Sequence, residues 1–274
     1  MEQTFKSTAS TPASCFHAFD LRAMLDINAY LTRIRYQGST APTLDTLRAI
    51  HHAHLLTVPF ENLDIAWGRE IVMDEETFVR KVVERRRGGF CYELNGAFAA
   101  LLRALGFQVT LLSARVAREE GGEGPEFDHL CLRVDLEEPW LADVGFGESF
   151  LEPLRLQTKI QQSDPAGIFR LITRRKRLHL EKTGPDEVWK RQFSFALKSR
   201  RLDEFAGMCH YHQTSPESSF THKRICTRAT SDGRITLADM KLIVTANGHR
   251  NETTLASEQE WRETLKEHFG IVDA

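Results

Sequence analysis

One thiol in this chain sits where a reactive thiol would be placed. In Arg87-Gly88-Gly89-Phe90-Cys91-Tyr92-Glu93 two glycines let the chain turn sharply after one helix, so that Cys91 opens the next. Unpaired backbone N–H groups and the positive end of the helix dipole favour thiolate over thiol there. A thiol of ordinary pKa, about 8.5, is only a few per cent ionised at neutral pH, so such a placement bears on reactivity. The same segment also fits Cys91 as a small buried apolar residue, a common fate of free cysteines. Two further residues bear on the choice. His129 opens a predicted strand after a Gly-rich loop and points away from that strand's apolar stripe, so its ring could face a cleft. Asp143 lies within the apolar run Leu141-Ala142-Asp143-Val144-Gly145-Phe146-Gly147 and needs a partner, because an unpaired buried charge costs several kcal/mol. Cys91, His129 and Asp143 form a nucleophile, base and orienter set.

The elements that position these residues are legible as patterns. Ile27, Tyr30, Leu31 and Ile34 recur at helical spacing before Gly38, which suits a left-handed cap. Leu44, Leu47, Ile50 and His54 repeat the pattern until Pro59. A third helix has Asp74 as N-cap and Phe78, Val79, Val82 and Val83 on its buried face. It ends in Arg85, Arg86 and Arg87, which read as a cationic C-terminal cap. The fourth runs from Cys91, through Leu94, Phe98, Leu101, Leu102 and Leu105, to Gly106. From Phe107 the period becomes two, which predicts strands over 107–116, 127–136 and 140–146. Strand-like segments follow at 168–180 and 188–197, then a connecting helix at 202–212. A smaller unit has strands at 225–230, 234–237 and 241–246. It ends in a helix with a Ser257/Glu260 capping box and an inner face of Trp261, Leu265 and Phe269.

Composition narrows the class. The 274 residues carry 36 Lys+Arg against 38 Asp+Glu, a formal net charge of −2 with no basic stretch suited to nucleic acid. Hydrophobic residues at 41% and charged residues at 27% describe a globular protein with enough chain for a sizeable core. The first 20 or so residues, rich in Ser, Thr and Ala, are expected to fray. Five cysteines, Cys15, Cys91, Cys131, Cys209 and Cys226, form an odd set without a preceding signal segment, which points to a reducing cytoplasm and no disulfide framework. The apolar stretch 97–107 is interrupted by Arg103 and far shorter than the ~20 residues of a membrane span.

Taken together, Val58-Pro59-Phe60-Glu61-Asn62, Arg87-Gly88-Gly89-Phe90-Cys91, His129, Asp143-Val144-Gly145-Phe146-Gly147 and Gln213-Thr214-Ser215-Pro216 resemble the arylamine N-acetyltransferase family, prokaryotic in type, over the chain from about Phe19 onward. The resemblance implies an α+β fold: a helical bundle (1–106) carrying the nucleophile, a β-barrel (107–213) carrying the histidine and aspartate, and an α/β lid (214–274), with a cysteine-protease-like Cys-His-Asp triad. It implies Cys91 as nucleophile, His129 as base and ion-pair partner, and Asp143 as orienter. It further implies acetyl-CoA as co-substrate and an arylamine, arylhydrazine or arylhydroxylamine as acceptor, in a ping-pong reaction through acetyl-cysteine. Arg87 and Glu61 correspond to a structural ion pair beside the nucleophile. Phe60 and Phe146 correspond to acceptor-pocket aromatics, a role they share with the reading as plain core residues, and Tyr211 corresponds to a CoA contact.

The chain departs from the family pattern before His129. Gly121-Gly122-Glu123-Gly124-Pro125-Glu126 supplies acidic residues that should repel phosphates. Two other readings compete. The same triad serves amide synthases and hydrolases. Cys209, His210, His212, His222 and Cys226, or His51, His52 and His54, offer zinc-ligand types, although without the paired spacing of structural zinc sites. Neither a metal nor a nucleic-acid or membrane partner is expected.

Overall fold

The computed structural model describes residues 25–118, 120–184 and 187–272; the segment expected to fray, with Cys15, lies outside the described residues. The described chain opens with α1 (Ile27–Arg33), α2 (Leu44–Thr57), the short α3 (Leu63–Ala66), α4 (Glu75–Val83) and α5 (Cys91–Ala104). Side-chain caps start three of them: Asp26, Thr43 and Asp74 accept the N–H groups of Ala29, Thr46 and Thr77. Helix α1 ends before Gly38 is reached. Arg35 takes the left-handed conformation (φ 56°) while its own N–H and that of Tyr36 bond to Thr32 and Leu31 carbonyls. These two closing bonds define the cap, and an arginine stands where glycine is usual. Helix α5 is buried nearly all round, from Cys91 to Ala99 and again at Leu101 and Leu102, and Gly106 (φ 93°) closes it as predicted.

Eight strands then form one antiparallel sheet: β2 (Gln108–Val116), β3 (His129–Asp135), β4 (Pro139–Ala142), β5 (Leu154–Arg155), β6 (Gln161–Asp164), β7 (Gly167–Arg174), β8 (Arg177–Thr183) and β9 (Lys190–Phe195). Their order is β5-β4-β3-β2-β9-β8-β7-β6. The sheet curls into a nearly closed barrel, and the Gln162 side chain joins the two edges by bonding both main-chain groups of Arg155. Leu112, Ala114, Cys131, Leu141, Phe169, Leu171, Leu180, Phe193 and Phe195 fill the inside. The other face of β2 and β3, with Leu111, Leu130, Leu132 and Val134, packs on the helical core around Phe98 and Leu102. Register pairs Leu112 with Cys131 and Ala114 with His129. The face of β3 that bears His129 and Cys131 is therefore not an open cleft wall: it turns into the barrel.

Three predicted elements differ. The run 168–180 is a hairpin turning at Arg175 and Lys176. The strand expected over 140–146 stops at Ala142, so Asp143 lies just beyond it. The connecting helix is a 3-10 turn (Leu202–Phe205) followed by α6 (Ala206–Thr214).

The C-terminal unit is an antiparallel sheet of β10 (Ile225–Thr230), β11 (Gly233–Ala238), β12 (Lys241–Ala246) and β13 (His249–Thr254), packed on α7 (Glu258–Phe269). Ser257 caps α7 through Glu260 N–H, and Gly270 (φ 69°) ends it. The edge beside β10 is taken by β1 (Phe60–Glu61), a two-residue strand from the helical region, with Phe60 opposite Thr227 and Glu61 opposite Cys226. Leu63 accordingly joins Cys226, Leu237, Trp261 and Leu265 in the core of this unit. Among the described residues no helix is long and apolar enough to cross a membrane.

Candidate active site

The turn that carries Cys91 is held on three sides. Strand β1 forms a parallel bridge to it, with Glu61 N–H bonded to Gly89 carbonyl at 2.9 Å. The glycines serve close approach more than a special conformation. A side chain at Gly88 would collide with the Pro59 carbonyl and one at Gly89 with Glu93, while the left-handed residue of this turn is Arg86 (φ 51°). At the third position of α5 the Glu93 carboxylate accepts the Phe90 N–H at 3.1 Å. This supplies half of a capping box, because Phe90 has no oxygen to return.

The arginine run divides. Arg85 and Arg86 are exposed, as a cationic cap should be, but Arg87 is buried and pairs with Glu61 as the resemblance implied. Its Nε and Nη2 lie 3.1 and 2.7 Å from Glu61 Oε1, and Nη2 is 3.1 Å from Asp64 Oδ1. The pair belongs to a larger buried cluster not anticipated from sequence. Lys81 Nζ is 2.7 Å from both Asp64 Oδ2 and Glu93 Oε1. Burial works against the charges, yet Glu61, Glu93 and Asp64 hold the Lys81 ammonium above its usual range. Lys81 and Arg87 in turn hold the Asp64 carboxyl below its own.

Beyond the turn, α5 packs on β3 and β2. His129 Nε2 lies 2.6 Å from Asp143 Oδ2. The other Asp143 oxygen accepts from Asn95 Nδ2 at 2.8 Å and Gly145 N–H at 2.9 Å. Asn95 stands one helical turn after Cys91 and also bonds Leu130 carbonyl and Val144 N–H, at 2.7 and 2.9 Å. One side chain thus ties the cysteine's helix to both strand ends. A second positioning residue is His51 of α2. Its Nδ1 lies 2.9 Å from the Leu151 carbonyl and its Nε2 3.1 Å from both main-chain groups of Asp143; the shorter contact takes the single proton of the neutral ring, so Nδ1 donates to Leu151 and Nε2 accepts the Asp143 N–H. Burial lowers the His51 pKa to about 4, against the pull of the Leu151 carbonyl and Asp143, and keeps this ring neutral. The His51 ring replaces the strand ladder that ends at Ala142.

Cys91 adjoins the segment that follows Asp143. Leu130 N–H lies at the thiol, and a Cβ added to Gly145 would stand 2.8 Å from Cys91 Cα. Burial works against the ready thiolate expected from the sequence. Burial pushes the Cys91 thiol well up and Asp128 and Asp143 add to it, while Leu130 N–H opposes them. A lone thiolate is unfavourable in this setting, so ionisation needs a cation beside it. The Phe146 ring meets the His129 ring edge-on at 5.2 Å, and Phe193 meets both. Phe60 stands by Gly147 and Phe220. Both phenylalanines are half-buried, as is Tyr211 on α6. Gln213 bonds both main-chain groups of Ile71, and Asn62 holds the chain at Phe220, Lys223 and Ile225, which accounts for two of the sequence motifs.

The zinc-ligand types do not assemble. Cys209 packs in the helical core and Cys226 in the C-terminal core, His54 faces the Tyr30 hydroxyl at 3.1 Å, and no metal-holding group of three occurs among the described residues. The acidic segment before His129 is also not a bare negative patch. Glu126 is met by Arg115 at 2.9 Å, Arg177 at 3.0 Å and Arg200 at 3.6 Å, and Glu123 lies 3.3 Å from His179.

The chain thus joins a helical region, a barrel-like sheet and a C-terminal sheet, with Cys91 opening α5 and His129 paired to Asp143, and a model of the N-acetyltransferase family matches residues 43–273. The arylamine N-acetyltransferase of Escherichia coli (strain K12) is 35% identical over 249 residues, covering 89% of this chain and 88% of the relative. The solved arylamine N-acetyltransferase of Salmonella typhimurium superposes with a TM-score of 0.85 at 34% identity, covering 90% and 92% of the two chains. That of Mycobacterium marinum in complex with CoA gives 0.84 at 33%, covering 90% and 93%. The chain belongs to the arylamine N-acetyltransferase family and is an acyltransferase.

Proposed function

We propose that this enzyme moves an acetyl group from acetyl-CoA to an arylamine, arylhydrazine or arylhydroxylamine in two half-reactions through acetyl-Cys91, with His129 as base and Asp143 as its orienter. The observation that carries this reading is the Asp143 carboxylate, which spends one oxygen on His129 Nε2 and anchors the other to the helix of Cys91 through Asn95. That arrangement leaves His129 Nδ1 for the thiol. Because burial disfavours an isolated thiolate, the Cys91 proton passes to His129 as the sulfur attacks, and Asp143 stabilises the imidazolium. Backbone N–H groups at the start of α5 receive the oxyanion, and the imidazolium returns its proton to the departing CoA thiolate. In the second half His129 takes a proton from the attacking amine and Cys91 leaves. Phe146 against the His129 ring and Phe60 beside Gly147 form the acceptor wall, and Tyr211 stands on the donor side. The segment 1–106 supplies the nucleophile, 107–213 the base and orienter, and 214–274 the cover.

Steady-state kinetics test the scheme. Varying acetyl-CoA at several arylamine concentrations should give parallel double-reciprocal lines, and Cys91→Ala and His129→Gln should each abolish transfer. Intersecting lines, or transfer retained by Cys91→Ala, would overturn it.

A further inference from the structure

The residue before His129 is itself a carboxylate, and its surroundings differ from those of Asp143. Asp128 Oδ1 lies 3.3 Å from His212 Nε2, and Oδ2 receives one long bond from Val116 N–H, also 3.3 Å. An ionised carboxylate offers about four acceptor positions, so Asp128 is sparsely supplied compared with Asp143 and its short donors. His212 is buried on α6. Its Nδ1 faces Ser218 Oγ at 3.3 Å, while Nε2 has no well-directed hydrogen bond. Both groups lie beside the segments that carry Cys91 and His129. The His212 ring packs 6.5 and 6.2 Å from the rings of Phe90 and Tyr92, the two neighbours of Cys91, and 5.1 Å from Phe220, which adjoins Phe60. Among neighbouring charges Asp128 acts on the Cys91 thiol ahead of Asp143. The other polar groups around the pair are Ser218, Tyr211, the Tyr92 hydroxyl, which is bonded to Phe127 carbonyl, the Cys91 and Cys209 thiols, and His129.

A histidine–carboxylate pair with spare acceptor capacity, beside a nucleophile that already has its own base, suits a second proton. Arylamines are weak bases and reach the site neutral. More basic acceptors, such as benzylamines and alkylhydrazines, arrive as cations at neutral pH and must lose two protons to become amides. We propose that Asp128 and His212 form a second acid–base pair that binds and deprotonates cationic amines, extending the acceptor range beyond weakly basic arylamines. The proposal rests on the acetyl-Cys91 reading. Asp128 accepts an N–H of the ammonium, and one proton passes through it to His212, leaving a neutral amine. The nitrogen then bonds to the acetyl carbon, the C–S bond breaks with its electron pair going to Cys91, and the second proton goes from nitrogen to His129. His212 afterwards releases its proton to solvent.

The test uses acetyl-enzyme formed from acetyl-CoA in wild type, Asp128→Asn and His212→Gln. CoA release and deacetylation are followed separately, with 4-methoxyaniline and with benzylamine as acceptors. The variants should lose at least ~10-fold more rate with benzylamine than with the arylamine, within the range of general acid–base effects. Their CoA burst reports whether the Cys91 site remains assembled. Equal losses with both acceptors, which would mark the pair as mere support for His129, would overturn the proposal, as would no loss with either or a wild type inert toward benzylamine. A wild type that forms no acetyl-enzyme would remove the underlying reading and this proposal with it.

Discussion

Glu93→Gln should not destabilise the protein at pH 8, although Glu93 is buried 2.7 Å from a lysine. Among the buried groups the cluster sets three carboxylates, Glu61, Asp64 and Glu93, against two cations, Lys81 and Arg87, so 3 − 2 leaves one negative charge in surplus there, and the more exposed Arg69 meets Asp64 from the edge at 3.9 Å. Glu93 is where a proton settles. Burial, with Glu61 and Asp64 adding to it, lifts its pKa from 4.5 to about 7 against the pull of Lys81. A carboxyl whose folded pKa lies above its unfolded one binds its proton more tightly when folded. Its contribution is therefore present below about 4.5, declines as pH rises and is lost above about 7. The shift corresponds to roughly 3 kcal/mol at about 1.4 kcal/mol per pKa unit. Glutamine copies the neutral form, but its single oxygen cannot serve both Lys81 and Phe90 N–H, which costs about 1 kcal/mol of capping. The variant should thus be up to about 2 kcal/mol more stable than wild type at pH 8 and less stable at pH 5. Urea unfolding of both proteins across this range reads the difference directly, and subtracting the two curves removes other titrating groups. A variant about 3 kcal/mol less stable at pH 8, with an unaltered pH slope, would show that Glu93 is an ionised partner of Lys81 and refute the charge count.

Other perturbations probe the same framework. Asn95→Ala takes one donor from Asp143 and strips partners from Leu130 carbonyl and Val144 N–H; it should cost about 3 kcal/mol in urea unfolding and slow Cys91 acetylation ~10–100-fold through misplacement of His129. His51, with a folded pKa near 4 against 6.5, should destabilise the fold as pH falls from about 6.5 toward 4, by roughly 3 kcal/mol once complete, and buried His54 acts in the same direction. Thermal midpoints across that range would expose it, and a flat or rising profile after subtraction of the Glu93 contribution would contradict it. Arg87→Met should cost about 3–5 kcal/mol by leaving Glu61 and Asp64 short of a cation, and Arg87→Lys should restore only part of the thermal midpoint because it cannot repeat the guanidinium contacts.

The candidate site's outline was legible because its residues lie at element boundaries. A glycine-flanked cysteine at a helix start, a histidine at a strand start and a lone carboxylate in an apolar run all stand out. The supports were not, since each is a polar residue whose role depends on tertiary contact. Asn95 offered a signal, being a polar residue one turn after Cys91 in an otherwise apolar helix. Lys81 lies in a helix whose pattern marks valines as its buried face, and its burial follows from Glu93, twelve residues on. His51 was read as a metal-ligand type when it is a hydrogen-bonding wedge. Among the elements, the β7–β8 hairpin was hidden because Arg175 and Lys176 both take positive φ (49° and 63°), where Asn-Gly is the usual signature. The β12–β13 hairpin does have Asn247-Gly248, but β13 is exposed throughout and lacks an apolar alternation to mark it. Strand β1 is two residues long and owes its existence to β10 and Gly89.

In the proposed reaction, acetyl transfer passes through Cys91. Mixing the enzyme with one equivalent of acetyl-CoA in the absence of acceptor, followed by intact-mass measurement and peptide mapping, tests it most directly. Stoichiometric release of CoA and a single acetyl group on Cys91, which disappears when an arylamine is added, are the expected result. Acetylated arylamine formed without any acetyl-enzyme, or an acetyl group on another residue discharged at the turnover rate, would contradict it.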